Sequence, residues 1–588
     1  MTYRAPVADI AFALKHTAGL SEAIGQGRFG DLSIDLVDAI LDEAARFAND
    51  RIAPLLKVGD KHGTPLKDGA VTTPPGWAAT YRAWTEAGWN GLSAPEAWGG
   101  QALPLMLNMA TQEMWAAGSM AFSLCPTLTV GAIEALVAHG SEALRARYLE
   151  KLVSGEWTGT MNLTEPQAGS DLGALRTRAE PAGDGSYRIF GTKIFITYGE
   201  HDMADNIVHL VLARLPDAPA GTRGISLFLV PKFLVDDDGS LGTRNDVKCV
   251  GVEHKLGIHG SPTCTMVYGD EGGAVGWLIG EENRGVACMF TMMNNARLAV
   301  GIQGVAIAEA AFQKALAYAN DRRQGKAPGS KAEGMSPIAE HPDVARMLLT
   351  QKAYTAAARA ICYACAHAID MSHATAGDDA RRWSERAGLL TPLAKAFSTD
   401  VGCEVASLGV QIHGGMGFIE ETGAAQFYRD ARIAPIYEGT NGIQAIDLVT
   451  RKLPLSAGGA VRSMTEDLVA YARAAEISGA TWGRTGRALE AAFEALDSAT
   501  DWIAAAQARD PAEALAVATP YLRLMSLTYG GALMAKGALA AEAEGVNDAP
   551  ARVALVRFFA EHLLGEVASL ADRVLHGAGV VADSRIAL

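Results

Sequence analysis

The chain has 588 residues, with 51 Lys and Arg against 66 Asp and Glu for a formal charge of −15, and 49% of it is hydrophobic. That length exceeds what one hydrophobic core serves, so several domains are expected, and the composition excludes a wholly disordered chain. The net acidic balance argues against generic nucleic-acid binding.

Seven cysteines are scattered along the chain. An odd number without clustered spacing is no disulfide framework and points to a reducing, cytoplasmic setting. Cys362 and Cys365 form a CxxC inside the Ala-rich run ICYACAHAID. No second CxxC or His-x₃₋₅-His pair accompanies it, so they read as buried small residues, and no metal is expected. The N-terminal MTYRAPVADIAFALKH lacks the apolar core and cleavage site of a secretory signal. Met114–Ile133 carries no charged residue but includes Ser119, Ser123, Pro126, Thr127 and Thr129 and lacks basic flanks. It reads as a buried helix followed by a turn, not a membrane span.

In chain order, residues 1–156 read as a helical domain. Phe12, Leu20, Ile24, Val37, Ile40, Leu41 and Phe47 recur largely at three- and four-residue steps or their multiples, with turn clusters such as Pro74-Pro75-Gly76 between helices. From Trp157 to Asp270 the pattern becomes short β-branched or aromatic runs, YRIFGTKIFIT, NIVHLVLARL, GISLFLVPKF and TCTMVYGD, and a β-domain is assigned to 157–280. Helical periodicity returns near Gly285, and Pro342 suits the first turn of a following helix. A helical bundle domain is assigned to 281–452. The linker Leu453–Gly459 then leads to an additional helical domain, 461–588. The fold class is α+β.

Five segments carry candidate chemistry. Met161–Asp171, MNLTEPQAGSD, offers hydroxyls and backbone N–H groups with little bulk to a flat polar ligand, or is an ordinary turn. Lys193–Gly199, KIFITYG, is a strand whose Phe195 can pack on a ring and whose Thr197 can reach a heteroatom at its edge, or simply a strand. Arg322-Arg323-Gln324 ends a long helix, where cations complement the helix dipole or grip a phosphate. Gln411–Phe418, QIHGGMGF, lets a phosphate or ring approach the backbone, but it lacks the GxGxxG spacing, and His413 alone is more often structural. In Pro435–Gln444, PIYEGTNGIQ, Glu438 is either a helix N-terminal acid or a general base whose pKa burial raises.

Taken together, in this order and at these separations, the segments resemble the acyl-CoA dehydrogenase family of flavoenzymes across most of residues 30–452. TEPQAGSD and YEGTNGIQ are the most specific, and Pro95–Gly100 and Lys255–Thr263 also match. The resemblance implies a four-helix bundle for the domain that carries the base. It implies that Glu438 removes the α-proton of an acyl-CoA thioester, that the β-hydrogen leaves as hydride to FAD, and that the product is a trans-2-enoyl-CoA. It places Leu163, Thr164, Gly169, Ser170, Phe195, Thr197, Thr440 and Gly442 at FAD. It places Arg322, Gln324, Gln411, Gly414 and Gly415 at the FAD of a second subunit, hence a homo-oligomer, preferably a dimer. Ser170, Asn294, Arg297, Tyr437 and Gly439 are placed at substrate, and electron-transfer flavoprotein is the implied acceptor.

Two departures stand out: Gln167 where many members have Gly, and Gly325 where many have Phe. Ala296 occupies the position from which some members supply the base, which leaves Glu438 as the candidate. The added C-terminal domain resembles a large-subunit branch whose members act on 3-methylmercaptopropionyl-CoA or on straight-chain acyl-CoAs, in fatty acid β-oxidation or dimethylsulfoniopropionate demethylation. A DNA-associated protein on the same fold would need a basic C-terminal domain, but residues 451–588 hold 13 Lys and Arg against 16 Asp and Glu. An acyl-CoA oxidase is the other rival, and oxygen reactivity separates it.

Overall fold

The computed structural model describes residues 3–331 and 333–588, apart from the side chains of Met292 and Asn294. By contact the chain gathers into two compact units. A sheet unit comprises residues 47–103 and 118–296, and a helical unit comprises 1–46, 104–117 and 297–588.

The sheet unit is built on eight strands, numbered here in chain order: β1 Trp157–Asn162, β2 Arg178–Pro181, β3 Tyr187–Thr197, β4 Asn206–Arg214, β5 Ile225–Pro231, β6 Val247–Val252, β7 Thr263–Tyr268 and β8 Ala274–Ile279. Their order is β6-β7-β3-β8-β5-β4-β1, with β2 pairing both β3 and β4. Pairing closes on itself through β3, β8, β5, β4 and β2, the last contact being the single pair Arg178 with Arg214. Residues are buried on both faces of β5 and almost throughout β4, which explains their continuous apolar runs. One core, with Ile189, Val211, Phe228, Val230 and Met266, fills one side of the sheet. A second gathers Leu210, Leu227 and Leu229 with Tyr148, Leu149 and Leu152 of the helix Glu142–Ser154. Ser141 caps that helix by accepting the Leu144 N–H.

The expected turn inside Met114–Ile133 is absent. One helix, Leu105–His139, runs through Pro126 and is broken instead at Ser119 (φ −161°, ψ 102°). It is the one helix among the described residues long and apolar enough to cross a membrane, and most of its apolar stretch is buried.

In the helical unit, α1 (Gly285–Asp321, from Arg297 on), α2 (Pro342–Ala374) and α3 (Gly377–His413) are long. The short α4 (Ala424–Ala431) and α5 (Asn441–Asp447) follow. Pro342 stands in the first turn of α2, as its rigid φ favours. Helices α1 and α3 cross at backbone contact. A Cβ on Gly301 would lie 2.5 Å from the Ala394 carbonyl oxygen, and one on Gly304 2.2 Å from that of Ser398. Inside, Arg359 bridges Glu113 (2.7 Å) and Glu309 (2.9 Å), and the Tyr363 hydroxyl donates to Glu113 at 2.7 Å. Asp370 accepts the N–H groups of Leu105 and Met106, two of the unpaired donors at a helix start.

The C-terminal helices belong to this same unit. Gly530 on the helix Ala518–Glu544 leaves a prospective Cβ 3.1 Å from the Ala357 Cβ of α2. Arg523 reaches Glu404 of α3 at 2.6 Å and Glu566 at 2.7 Å. The chain's start is enclosed too: Ile10 is buried, and Asp9 pairs with Arg552 at 3.3 Å. Cys362 and Cys365 are core residues of α2, their thiols against Ser398 (3.3 Å) and Thr391 (3.6 Å).

Candidate active site

In the sheet unit, β1 runs into the TEPQAGSD segment. This segment is stapled to β3 by backbone and side chain. The Thr164 carbonyl accepts the Ile194 N–H at 2.9 Å. Lys193, fully buried, donates to the Leu163 carbonyl (3.0 Å) and to Glu165 (2.9 Å). Glu165 also accepts from the Arg176 and Thr177 N–H groups and the Thr177 hydroxyl, at 2.8, 3.0 and 2.6 Å. Burial alone would raise the Glu165 pKa, but Lys193 and these hydrogen bonds outweigh it and hold the carboxyl well below its ordinary value. Burial lowers the Lys193 pKa, and Glu165 only partly restores it. Gln167 settles one departure noted in the sequence: its amide donates to Glu165 at 2.6 Å, so it completes the turn. Leu163 and Thr164 remain half-buried, while Gly169 and Ser170 lie exposed on the loop.

Phe195 is the outlier of β3. Opposite it, Cys264 pairs with Ile196 and Met266 with Lys193, so β3 carries an extra residue there. That bulge puts Phe195 at φ +60° and leaves its ring 57% exposed. A large aromatic presented outward on strained backbone sets Phe195 apart from the other residues of the strand. Half-buried Thr197 is held by its carbonyl, which accepts the Thr160 hydroxyl at 2.7 Å.

In the helical unit, Glu438 lies outside α5. The N-cap is Thr440, whose hydroxyl accepts the Ile443 N–H, which places Glu438 two residues ahead of the cap and outside the first turn. Glu438 adopts φ +53°, a left-handed conformation costly for a non-glycine residue. Burial pushes its carboxyl above the ordinary value, with Arg297 and then Lys395 pulling the other way. Its own N–H donates to no group among the described residues.

The loop around it is held from several sides. The Tyr437 hydroxyl donates to Gln303 of α1. Gln444, fully buried, donates to the Glu438 and Gly439 carbonyls, at 3.3 Å each. Gly439 has φ +81°, where a side chain is strained, and a Cβ there would meet the Gln444 amide nitrogen at 2.9 Å and displace it from the loop carbonyls it holds. Arg297, nearly buried, stands 3.6 Å from Asp447 and close enough to Glu438 for each to shift the other's ionisation. Gly442 is exposed at the start of α5. The expectation for Asn294 falls on a side chain outside those described.

A third group, also in the helical unit, surrounds the ends of α1 and α3. Exposed Arg322 donates to Gln324 at 3.1 Å, and Gln324 is pinned by the Ser336 carbonyl. Gly325 has φ +61°, which a Phe would adopt only under strain, so the second departure goes with a different turn. Gln411 is exposed at the end of α3, and added Cβ atoms on Gly414 and Gly415 would meet nothing within 4 Å. His413 is structural: it is buried and stacked on Tyr318 at 4.4 Å.

Sequence reasoning missed Glu165, Lys193, Gln303, Lys395, Asn441 and Gln444. Glu165, Lys193, Asn441 and Gln444 sat within quoted motifs without a role. The signal for Lys395 is a lone cation in the run LLTPLAKAF of a buried helix.

Family models match almost the whole chain: acyl-CoA dehydrogenase N-terminal domain at 36–156, middle domain at 160–270 and C-terminal domain at 283–453, then acetyl-CoA dehydrogenase C-terminal like at 461–584. A 3-methylmercaptopropionyl-CoA dehydrogenase from Ruegeria pomeroyi is 46% identical over 98% of both chains. Among solved structures, Caenorhabditis elegans ACDH-11 in complex with C11-CoA aligns with TM-score 0.78 at 20% identity, covering 98% of this chain and 95% of that one. An acyl-CoA dehydrogenase complexed with FAD from Bacillus anthracis aligns with TM-score 0.75 at 23% identity, covering 93% and 89%. Carried by a relative matched from end to end and by family domains in unbroken order, the chain belongs to the acyl-CoA dehydrogenase family.

Proposed function

We propose that this FAD-dependent acyl-CoA dehydrogenase uses Glu438 as its base and takes 3-methylmercaptopropionyl-CoA as substrate. The observation that carries the first part is the Glu438 carboxyl itself: off the helix, on strained backbone, with its pKa raised by burial. A carboxyl at its ordinary value is a poor match for a weakly acidic thioester α-proton, and burial improves the match. Arg297 and Lys395 act against premature protonation. Glu438 receives the α-proton, and its uncommitted N–H donates to the thioester oxygen as negative charge develops there. Tyr437, Gly439 and Ser170 complete the substrate contacts.

The residues present fit FAD. In the sheet unit Phe195 offers an exposed ring, Thr197 a polar edge and Gly169 open backbone; in the helical unit, taken by itself, Gly414 and Gly415 offer open backbone and Arg322 and Gln324 a hydrogen-bonded fork. Leu163, Thr164, Thr440, Gly442 and Gln411 join them in this reading. A bound FAD supplies the two-electron acceptor for the β-hydrogen.

The sulfur-bearing substrate rests on the Ruegeria pomeroyi relative, and its place would be dimethylsulfoniopropionate demethylation in the cytoplasm. A dimer is part of the same reading. Met416, Phe418 (86% exposed) and Ile419 flank Gly414 and Gly415 with apolar surface that a second subunit would cover. Electron-transfer flavoprotein is the proposed acceptor.

The test is anaerobic flavin bleaching by a panel of acyl-CoAs. The sulfur-bearing propionyl thioester is expected to bleach fastest, and a straight-chain butyryl thioester that outruns it overturns the substrate. Glu438→Gln is expected to keep FAD and lose at least about three orders of magnitude in reduction rate, within the range for a lost general base. A variant within tenfold of the parent sinks the assignment of the base.

A further inference from the structure

Lys395 sits in the buried middle of α3 with no exposed side-chain surface. The Gly301 and Gly304 contacts press α1 onto α3 at Ala394 and Ser398, on either side of it. A cation there needs a purpose or a partner, because burying one unpaired is expensive. Its ammonium donates to the Asn441 side-chain oxygen at 2.9 Å. The Asn441 amide nitrogen in turn reaches the Ala396 carbonyl (3.1 Å), the Thr399 hydroxyl (3.0 Å) and Asp400 (2.8 Å). Asn441 begins α5, three residues after Glu438, so this network fastens the base loop to α3.

We propose that Lys395 is a positioning residue for the base: through Asn441 it fixes the loop that carries Glu438, and through its charge it keeps that carboxylate free of its proton before substrate arrives. The proposal rests on Glu438 being the base. The charged groups that bear on Lys395 are Glu438 on the loop, Asp400 on α3 and Arg297 on α1; around them, Tyr437 faces Glu438, Asp447 of α5 pairs with Arg297, and Glu404 of α3 and Arg523 of the C-terminal helices act on Asp400. Burial lowers the Lys395 pKa to about 7, with Glu438 opposing. The lysine is therefore charged below neutrality, where a carboxylate most needs holding, and loses its charge above it.

The experiment follows anaerobic flavin reduction by a saturating acyl-CoA against pH in the full-length holoenzyme. Lys395→Met is expected to move the acidic limb of the profile upward by about one pH unit, the low end of what a nearby opposite charge is worth. Lys395→Arg keeps the charge and should restore the limb. Asn441→Ala cuts the fastening but leaves the cation, so the plateau should fall about tenfold with the limb unmoved. Lys395→Gln, which retains a donor without charge, repeats the measurement if the methionine variant does not load flavin. A limb that coincides with the parent in either neutral variant, at full FAD content, overturns the proposal. Glu438→Gln run in the same series separates the two failures. If it abolishes reduction while the Lys395 limb stays put, only the role of Lys395 falls. If it reduces flavin normally, the base assignment falls first.

Discussion

At the scale of single residues, Glu438 and Gly439 occupy consecutive left-handed conformations, at φ +53° and +81°. Glu438 tolerates this because the loop is over-determined by Gln444, Tyr437 and Asn441. At Gly439 a side chain would push the Gln444 amide off the carbonyls it holds. Gly439→Ala should shift the loop, keep FAD content, and slow flavin reduction at least about tenfold, the equivalent of some 1.4 kcal/mol in the barrier; stopped-flow reduction measures it. Glu438 was singled out as the candidate base through the resemblance carried by its motif, YEGTNGIQ, and not from its local composition. Its holders were not. Lys395 and Gln303 come from distant helices, and a lone polar residue in an apolar run does not announce which loop it will meet.

At the scale of elements, the TEPQAGSD turn and β3 act as one piece because Glu165 and Lys193 join them inside the core. Glu165→Gln leaves a buried ammonium without its partner, which should cost about 3–5 kcal/mol. The double variant Glu165→Gln, Lys193→Met should lose less than the single change, because it removes the stranded charge. Urea midpoints followed by sheet-unit Trp fluorescence compare them, and a double variant weaker than both singles contradicts this account. The run YRIFGTKIFIT was readable as a strand from its β-branched and aromatic content. The bulge at Phe195 was not, because it depends on how β7 registers against it, and register is a property of two strands.

At the scale of the whole molecule, changes of periodicity marked where helix gives way to strand and back, and β8 ends at Ile279, one residue short of the expected boundary. They did not reveal that the helices after residue 459 share a compact unit with the bundle. Ala-rich helices look alike in sequence; what decides their partners is close approach at particular small residues, such as Gly530 against Ala357. Gly530→Leu should force that contact apart and cost about 1–3 kcal/mol through overpacking. A lowered melting temperature with unchanged isolated-substrate chemistry at low temperature is the expected result. An unchanged melt would mean that the two surfaces do not bear on one another.

The pairing of Asp9 with Arg552 sets a timetable for synthesis. The first helix emerges from the ribosome about half a minute to two minutes before its partner has been made, at ordinary elongation rates. The sheet unit, complete by residue 296, can close in the meantime. The opening helices cannot complete their packing, because residues 13–18 rest on both Pro342–Ala374 and Ala518–Glu544. The interval is a window for chaperone capture of residues whose cover is made in instalments, first by Pro342–Ala374 and later by the helices near Arg552.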